Sequence, residues 1–145
     1  MRVFQRLSLA AAAALALTLA TGCMLFARPP KDLDYSRTRV SDGGRYRGTI
    51  HPQGDSIPQG KLHSWTLHLE SPDGTPVKVE QVAVYGGMPQ HGHGLPTKPR
   101  VTRRTPEGDL VVDGMKFNMG GWWTVTFRVT ATDAAPDSLT FNLKL

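Results

Sequence analysis

The feature that most constrains this chain is its division into short runs of residues separated by Gly and Pro. From residue 45 onward, turn signals recur at intervals of about ten residues, and no stretch has the period of an amphipathic helix. The runs LHSWTLHL (62–69) and WWTVTFRVTAT (122–132) alternate apolar and polar positions, as strands with one buried face do. This pattern is typical of an antiparallel β-sandwich.

We predict about seven strands, at residues 46–50, 62–69, 77–85, 100–105, 109–117, 122–132 and 139–145. They predict an all-β fold, an immunoglobulin-like antiparallel β-sandwich, with a small barrel as the alternative. The core is expected to contain Trp65, Phe127 and Phe141. Of Trp122 and Trp123, one ring is expected in the core and the other partly exposed, because neighbouring residues of a strand point to opposite faces.

Residues 1–22 have the composition of a bacterial export signal. Arg2 and Arg6 precede an apolar stretch that is short for a membrane-spanning helix, which needs about 20 residues. Small residues then lead to Cys23, as in a lipobox, so Cys23 is predicted to carry a lipid anchor. The alternatives are an ordinary secretory signal or an uncleaved anchor. In either case we expect the folded domain on the periplasmic side of the cell envelope.

Three parts are therefore expected, namely the lipoprotein-type signal peptide (1–22), a tether (23–44) and one folded domain (45–145). The tether contains Pro29-Pro30 and Gly43-Gly44 and has no regular period. The single cysteine rules out a disulfide framework within the chain and a cysteine-cluster zinc site. Of the 17 Lys and Arg, 2 lie in the signal, which leaves 15 against 12 Asp and Glu. This charge is too small and too dispersed to predict a nucleic-acid partner.

Histidine and methionine are concentrated in the sequence YGGMPQHGHGLPTKP, residues 85–99, which we predict to be a loop. Two imidazoles two residues apart, His91 and His93, can converge on one ion, and the Met88 thioether is a soft donor that favours Cu(I) over Zn(II). A second turn, MKFNMGG at 115–121, contributes Met119, and in a sandwich both turns can lie at one end. The sequence thus predicts a soft four-donor metal site.

Simpler interpretations remain open for each of these residues. A His-Gly-His sequence is often only a polar surface turn, and Met115 and Met119 can fill the end of a core. Met115 is more readily explained as core. His63 is an outside candidate for a substitute ligand or a residue that supports the ligands, but a structural histidine on a strand explains it better.

The two histidines belong to a longer pattern of residues that runs from Met88 to Trp123. They are Met88, Pro89, His91, His93 and Gly94, then Pro96, Thr97 and Pro99, then Gly114, Phe117, Met119, Gly121 and Trp123. Together they resemble the YtkA-like, FixH-related domain family of bacterial envelope proteins over about residues 45–145. One departure is Gly120, where proline is usual in the family.

The resemblance implies an immunoglobulin-like sandwich outside the cytoplasm. Some relatives are linked with copper handling or with the assembly of copper-containing respiratory enzymes, whereas others carry an auxin-binding label, which we do not adopt. The leading hypothesis is therefore a membrane-anchored copper-binding lipoprotein, a Cu(I) chaperone or buffer that delivers copper to an envelope protein.

Two other classes of function remain as alternatives. One is a metal-free protein-interaction module, since the fold alone does not fix function. The other is a small-molecule binder that uses Trp122 or Trp123 with Trp65. We do not expect an enzyme, because the sequence has no serine-nucleophile motif and its acidic residues have no spacing suited to zinc hydrolysis.

Overall fold

A computed structural model describes residues 28–132 and 134–145 of the chain, and the predicted signal peptide and Cys23 lie outside these residues. One compact unit spans Asp32–Leu145. Within the described residues, no helix is long and apolar enough to cross a membrane.

The regular structure of the described residues consists of nine strands, which confirms the predicted all-β class. Two of them, β1 and β5, are short and were not predicted. The strands are β1 (Thr38–Val40), β2 (Arg47–Pro52), β3 (His63–Glu70), β4 (Gln81–Met88), β5 (His93–Gly94), β6 (Arg100–Arg104), β7 (Leu110–Met115), β8 (Trp122–Ala131) and β9 (Ala134–Lys144).

Every strand pairing is antiparallel, and the order is β1-β2-β3-β7-β6-β4-β8-β9 with β5 added to β4. The pairing between β6 and β4 consists of one residue pair, Ala83 with Arg100. This thin connection divides the strands into two layers, one formed by β1, β2, β3, β7 and β6 and the other by β5, β4, β8 and β9. The architecture is the predicted antiparallel β-sandwich of immunoglobulin-like type.

The core lies between the inward faces of the two layers. On β3, Trp65 and Leu67 are buried, and on β8 the alternate residues from Trp123 to Val129 are completely buried. Phe127 packs edge-on against Phe141 of β9, with ring centroids 5.8 Å apart. Each such side chain stabilises the fold by about 1.5–3 kcal/mol through burial. Trp122 points to the opposite face and is partly exposed, as the alternation predicts.

The predicted third strand is displaced along the chain. Residues 77–80 are not part of β4, which begins at Gln81 and continues to Met88. The prediction of a loop beginning at Tyr85 was therefore wrong. The cause lies in two glycines. Gly86 and Gly87 have no side chains, so neighbouring segments can approach β4 closely and the strand can continue past Tyr85. A Cβ at Gly87 would lie 2.7 Å from the carbonyl oxygen of His93.

The stretch predicted as a tether contributes its second half to the folded unit. Strand β1 pairs with β2, and the turn after it is held by the buried carboxylate of Asp137 on β9. That carboxylate accepts hydrogen bonds from the Ser41 hydroxyl (2.6 Å) and the Gly43 backbone N–H (2.8 Å). Burial opposes ionisation of Asp137, but these bonds outweigh it and hold its pKa below the usual value.

Candidate metal site at one end of the sandwich

Both layers contribute to one end of the molecule. Strand β4 ends there at Met88, β8 begins at Trp122, and β3 begins at His63 opposite the end of β7. The turn after β7 joins the layers through Phe117, whose ring centroid lies 5.2 Å from that of Trp123 and 5.8 Å from that of His63. The predicted ligands are therefore carried by segments that meet at this end.

The β4–β5 hairpin positions the two histidines. The backbone N–H groups of His91 and Gly92 both donate to the carbonyl oxygen of Met88 at 3.0 Å, which closes the turn. Gly92 has φ +65°, a left-handed conformation that favours glycine. Met88 and His93 are directly paired across the hairpin, so their side chains lie on the same face of the sheet.

The rings of His91 and His93 lie side by side, with centroids 5.8 Å apart and planes 26° from parallel. His91 is exposed and His93 is partly buried. The Nδ1 atom of His93 lies 3.1 Å from the carbonyl oxygen of Gly94. Because a carbonyl oxygen only accepts, this contact puts the proton on Nδ1 and leaves the lone pair on Nε2. In this tautomer Nε2 can bind a metal ion.

Trp123 connects the hairpin to the turn that carries Met119. Its ring meets that of His93 edge-on at 5.6 Å, and its Nε1–H donates to the carbonyl oxygen of Met119 at 3.0 Å. Met88 approaches the same turn, since a Cβ at Gly121 would lie 2.8 Å from the Met88 methyl carbon. Because Gly121 has no Cβ, the end of the Met88 side chain can pack directly against it.

The four predicted ligands differ strongly in exposure. Met88 is 1% exposed and belongs to the hydrophobic core cluster, whereas Met119 is 38% exposed. The hydrogen bond between Trp123 and Met119 uses the backbone carbonyl of Met119 and does not involve the Met119 thioether. Met115 is completely buried, as expected for a core residue.

His63 packs beside Trp65 and Phe117 rather than beside the two hairpin histidines. Its ring centroid is 6.3 Å from that of Trp65, and its Nδ1 lies 3.1 Å from the carbonyl oxygen of Lys61. The ring contacts run from His63 through Phe117 and Trp123 to His93, so two rings stand between the histidines along this path.

Two buried polar atoms of these rings, His63 Nε2 and Trp65 Nε1, have no hydrogen-bond partner among the described residues. These two unpartnered atoms were not predicted from the sequence. The alternation of LHSWTLHL places His63 on the same face as Trp65 and therefore indicates that the His63 side chain is partly buried.

Among the described residues, no three His, Cys, Asp or Glu side chains are grouped so that they could hold a metal ion. The thioethers of Met88 and Met119, together with the two histidines, would form a donor set that suits a soft cation.

The three tryptophans do not line an open groove together. Trp65 and Trp123 are 1% and 0% exposed, respectively. The partly exposed Trp122 faces outward, and its Nε1–H donates to the side-chain oxygen of Asn142 at 3.0 Å.

Comparison with known proteins agrees with the motif. The model of the YtkA-like family matches residues 48–128, more than half of the chain, and the chain therefore belongs to the YtkA-like family. The match includes the β4–β5 hairpin, the Met119 turn and Trp123. Membership indicates a bacterial envelope protein. No curated protein and no solved structure matches the chain.

Proposed function

We propose that this protein is a lipid-anchored, extracytoplasmic copper-binding protein, a Cu(I) chaperone or buffer without enzymatic activity. The observation that carries the proposal is the pair of imidazole rings 5.8 Å apart in a hairpin where Met88 is paired with His93. Neutral imidazole and thioether groups suit Cu(I), and the His93 tautomer presents a free Nε2.

The exposure of the ligands suggests how copper would enter and leave. His91 is exposed and Met119 is 38% exposed, so an incoming ion can reach these two residues first. Met88 is buried, and its sulfur can bind copper only if neighbouring side chains move. A site with few exposed ligands permits transfer by ligand exchange to a copper-accepting envelope protein.

Copper affinity should fall in acid. Imidazole binds a metal only in its neutral form, so protons compete with copper at His91 and His93, whereas the thioethers of Met88 and Met119 do not titrate. The same competition favours release of copper in an acidic compartment.

A metal-free interaction module is the second candidate, and one observation favours it. Met88 packs at the end of the core against Gly121, which explains its burial without a metal. Recovery of a membrane partner in pull-downs that is unchanged by His91→Ala/His93→Ala would favour this alternative.

Competition titration of the full-length protein with a chromogenic Cu(I) chelator tests copper binding. We expect one Cu(I) per chain with sub-micromolar affinity, and loss of binding in His91→Ala/His93→Ala. The matched control is His51→Ala/His68→Ala, which removes two histidines on β2 and β3 and should bind normally. Absence of binding by the unmodified protein, or equal loss in the control, would remove the proposal.

Mass spectrometry of the mature N-terminus tests the anchor separately. A lipid-modified Cys23 as the first residue is the expected result. An unmodified chain that begins elsewhere would contradict the lipoprotein assignment without affecting the copper site.

A further inference from the structure

A cleft separates β6 from β4 where the two layers of the sandwich part. It has a volume of about 410 Å³, and its lining includes none of the predicted copper ligands. Strand β4 pairs with β6 only through Ala83 and Arg100. Beyond that pair, residues 101–104 of β6 pair with β7 on one side and with no strand of the described chain on the other. The cleft therefore exposes a free strand edge.

The opposite wall of the cleft pairs with β8, but within the described residues it has no strand partner on the side that faces β6. Val79 and Glu80 precede β4, and the carbonyl oxygen of Val79 accepts a hydrogen bond from the guanidinium of Arg104 at 3.1 Å. A side chain of β6 thus satisfies a backbone acceptor across the cleft. The N–H of an inserted peptide can take the place of that guanidinium, because both are donors.

The lining of the cleft combines an apolar floor with a cationic rim. Val82 and Leu110 are buried at the floor, and Arg100, Arg103 and Arg104 are exposed at the rim. The one carboxylate in the lining is that of Glu80, and it accepts a hydrogen bond from the Thr132 hydroxyl. Arg103 has an ion pair with Asp113 at 3.2 Å, whereas Arg100 has no ion pair within the described residues. Unbalanced positive charge therefore surrounds the free edge.

We propose that this cleft binds an extended, acidic peptide segment of a partner protein by strand addition to β6. The backbone of the peptide would pair with the free edge, as in other β-augmentation complexes. Because side chains alternate along a strand, one set would reach the apolar floor and the other would reach the arginines. The preferred segment therefore alternates aliphatic and acidic residues.

A second copy of this chain does not suit the same edge. Pairing of β6 with β6 would bring two sets of arginines together, and like charges on paired strands are destabilising. The same arginines attract an acidic strand, so the charge selects between the two occupants.

NMR of the full-length protein with a synthetic peptide of alternating Val and Glu tests the proposal. We expect the amide signals of residues 101–104 to shift and their hydrogen exchange to slow. A peptide with Lys in place of Glu should bind far more weakly. A Val-Glu peptide with every backbone amide methylated should not bind, because it has no donors for the edge.

The matched variants are Arg100→Glu at the cleft and Arg128→Glu on β8, another exposed arginine that does not line the cleft. Arg100→Glu should weaken binding by about tenfold or more, the loss expected for one charge-assisted contact, and Arg128→Glu should have little effect. Equal weakening by both variants, full binding by the methylated peptide, or shifts that omit residues 101–104 would each overturn strand addition.

Discussion

His68 is the histidine whose environment most clearly changes its chemistry. It lies on β3 with its Nδ1 2.7 Å from a carboxylate oxygen of Asp109 and its Nε2 3.6 Å from one of Glu70. The hydrogen bond to Asp109, with a smaller effect from Glu70, raises the pKa of His68 above its ordinary value. His68 is therefore a partly exposed residue whose two nitrogens face carboxylates, and this environment favours the imidazolium form.

Asp109→Asn should lower the pKa of His68, because it removes the charge that favours the imidazolium ion. Since the pKa of His68 is raised by folding, its stabilising effect is complete below the unfolded value of about 6.5 and is lost as pH rises through the folded value. The side chain is 45% exposed, so solvent screens the pair and the effect on stability should be about 0.5 kcal/mol.

NMR titration of the His68 ring measures this pKa, and urea unfolding at pH 6 and pH 8.5 measures the stability. Glu107→Gln, which removes a nearby exposed acid, is the control. A His68 pKa that does not respond to Asp109→Asn would contradict the assigned hydrogen bond.

At the scale of the element, the β4–β5 hairpin determines whether the candidate site exists. Val82, Val84, Gly86 and Met88 share the inward face of β4, and the pairing of Met88 with His93 extends this face to β5. Gly87 permits the close approach of β5, because a Cβ there would meet the carbonyl oxygen of His93 at 2.7 Å. Gly86 permits the close approach of β8, because its Cβ would meet the carbonyl oxygen of Thr124 at 2.9 Å.

Gly87→Ala should weaken Cu(I) binding by displacing β5, since the new Cβ would meet the carbonyl oxygen of His93 at 2.7 Å. The overpacking should also lower the free energy of unfolding by about 1–3 kcal/mol. Gly94→Ala, in the same hairpin, is the matched control, because its Cβ would have its nearest contact at 3.4 Å. Urea unfolding and the chelator titration measure the two effects. Normal copper binding by Gly87→Ala would show that the hairpin geometry is not required.

The hairpin also shows where the sequence is and is not sufficient. The strong alternation of β3 and β8 predicted both strands and their buried faces, because those faces are marked by large apolar side chains. β4 contains two glycines just before its last residue, Met88; they have no side chain to mark a face, and they resemble a loop in the sequence. The close approach of β5 to Gly87 involves the backbone of His93, six residues later, and is visible only in the folded chain.

The candidate site was predictable only in part. The HGH sequence predicted the proximity of two histidines, and the MKFNMGG sequence predicted the Met119 turn. The link between them through Trp123 and the Met119 carbonyl is a long-range contact of the sandwich that no local pattern specifies.

At the scale of the whole molecule, the N-terminal strand helps to close the sandwich. Strand β1 lies at one end of the strand order and β9 at the other, and the backbone N–H of Asp42 donates to the carbonyl oxygen of Ser138 at 2.9 Å. The carboxylate of Asp137 adds its bonds to Ser41 and Gly43. The folded unit therefore requires residues that precede the predicted domain.

Removal of residues 1–44 should lower the stability of the folded unit relative to removal of residues 1–31. The longer deletion removes β1 and the partners of Asp137, with a cost of roughly 2 kcal/mol or more. Urea unfolding of both truncated proteins measures the difference. Equal stability of the two would show that the segment from Asp32 to Gly44 is only a tether.

The central claim is that a copper ion is held by imidazole and thioether groups at one end of the sandwich. X-ray absorption spectroscopy of the Cu(I)-loaded full-length protein tests it most directly, because nitrogen and sulfur neighbours of copper give different scattering. We predict both kinds of neighbour around one copper, with sulfur lost in Met88→Leu/Met119→Leu and no copper retained by His91→Ala/His93→Ala. A copper ion without sulfur neighbours, or with neighbours unchanged in the histidine variant, would contradict the account.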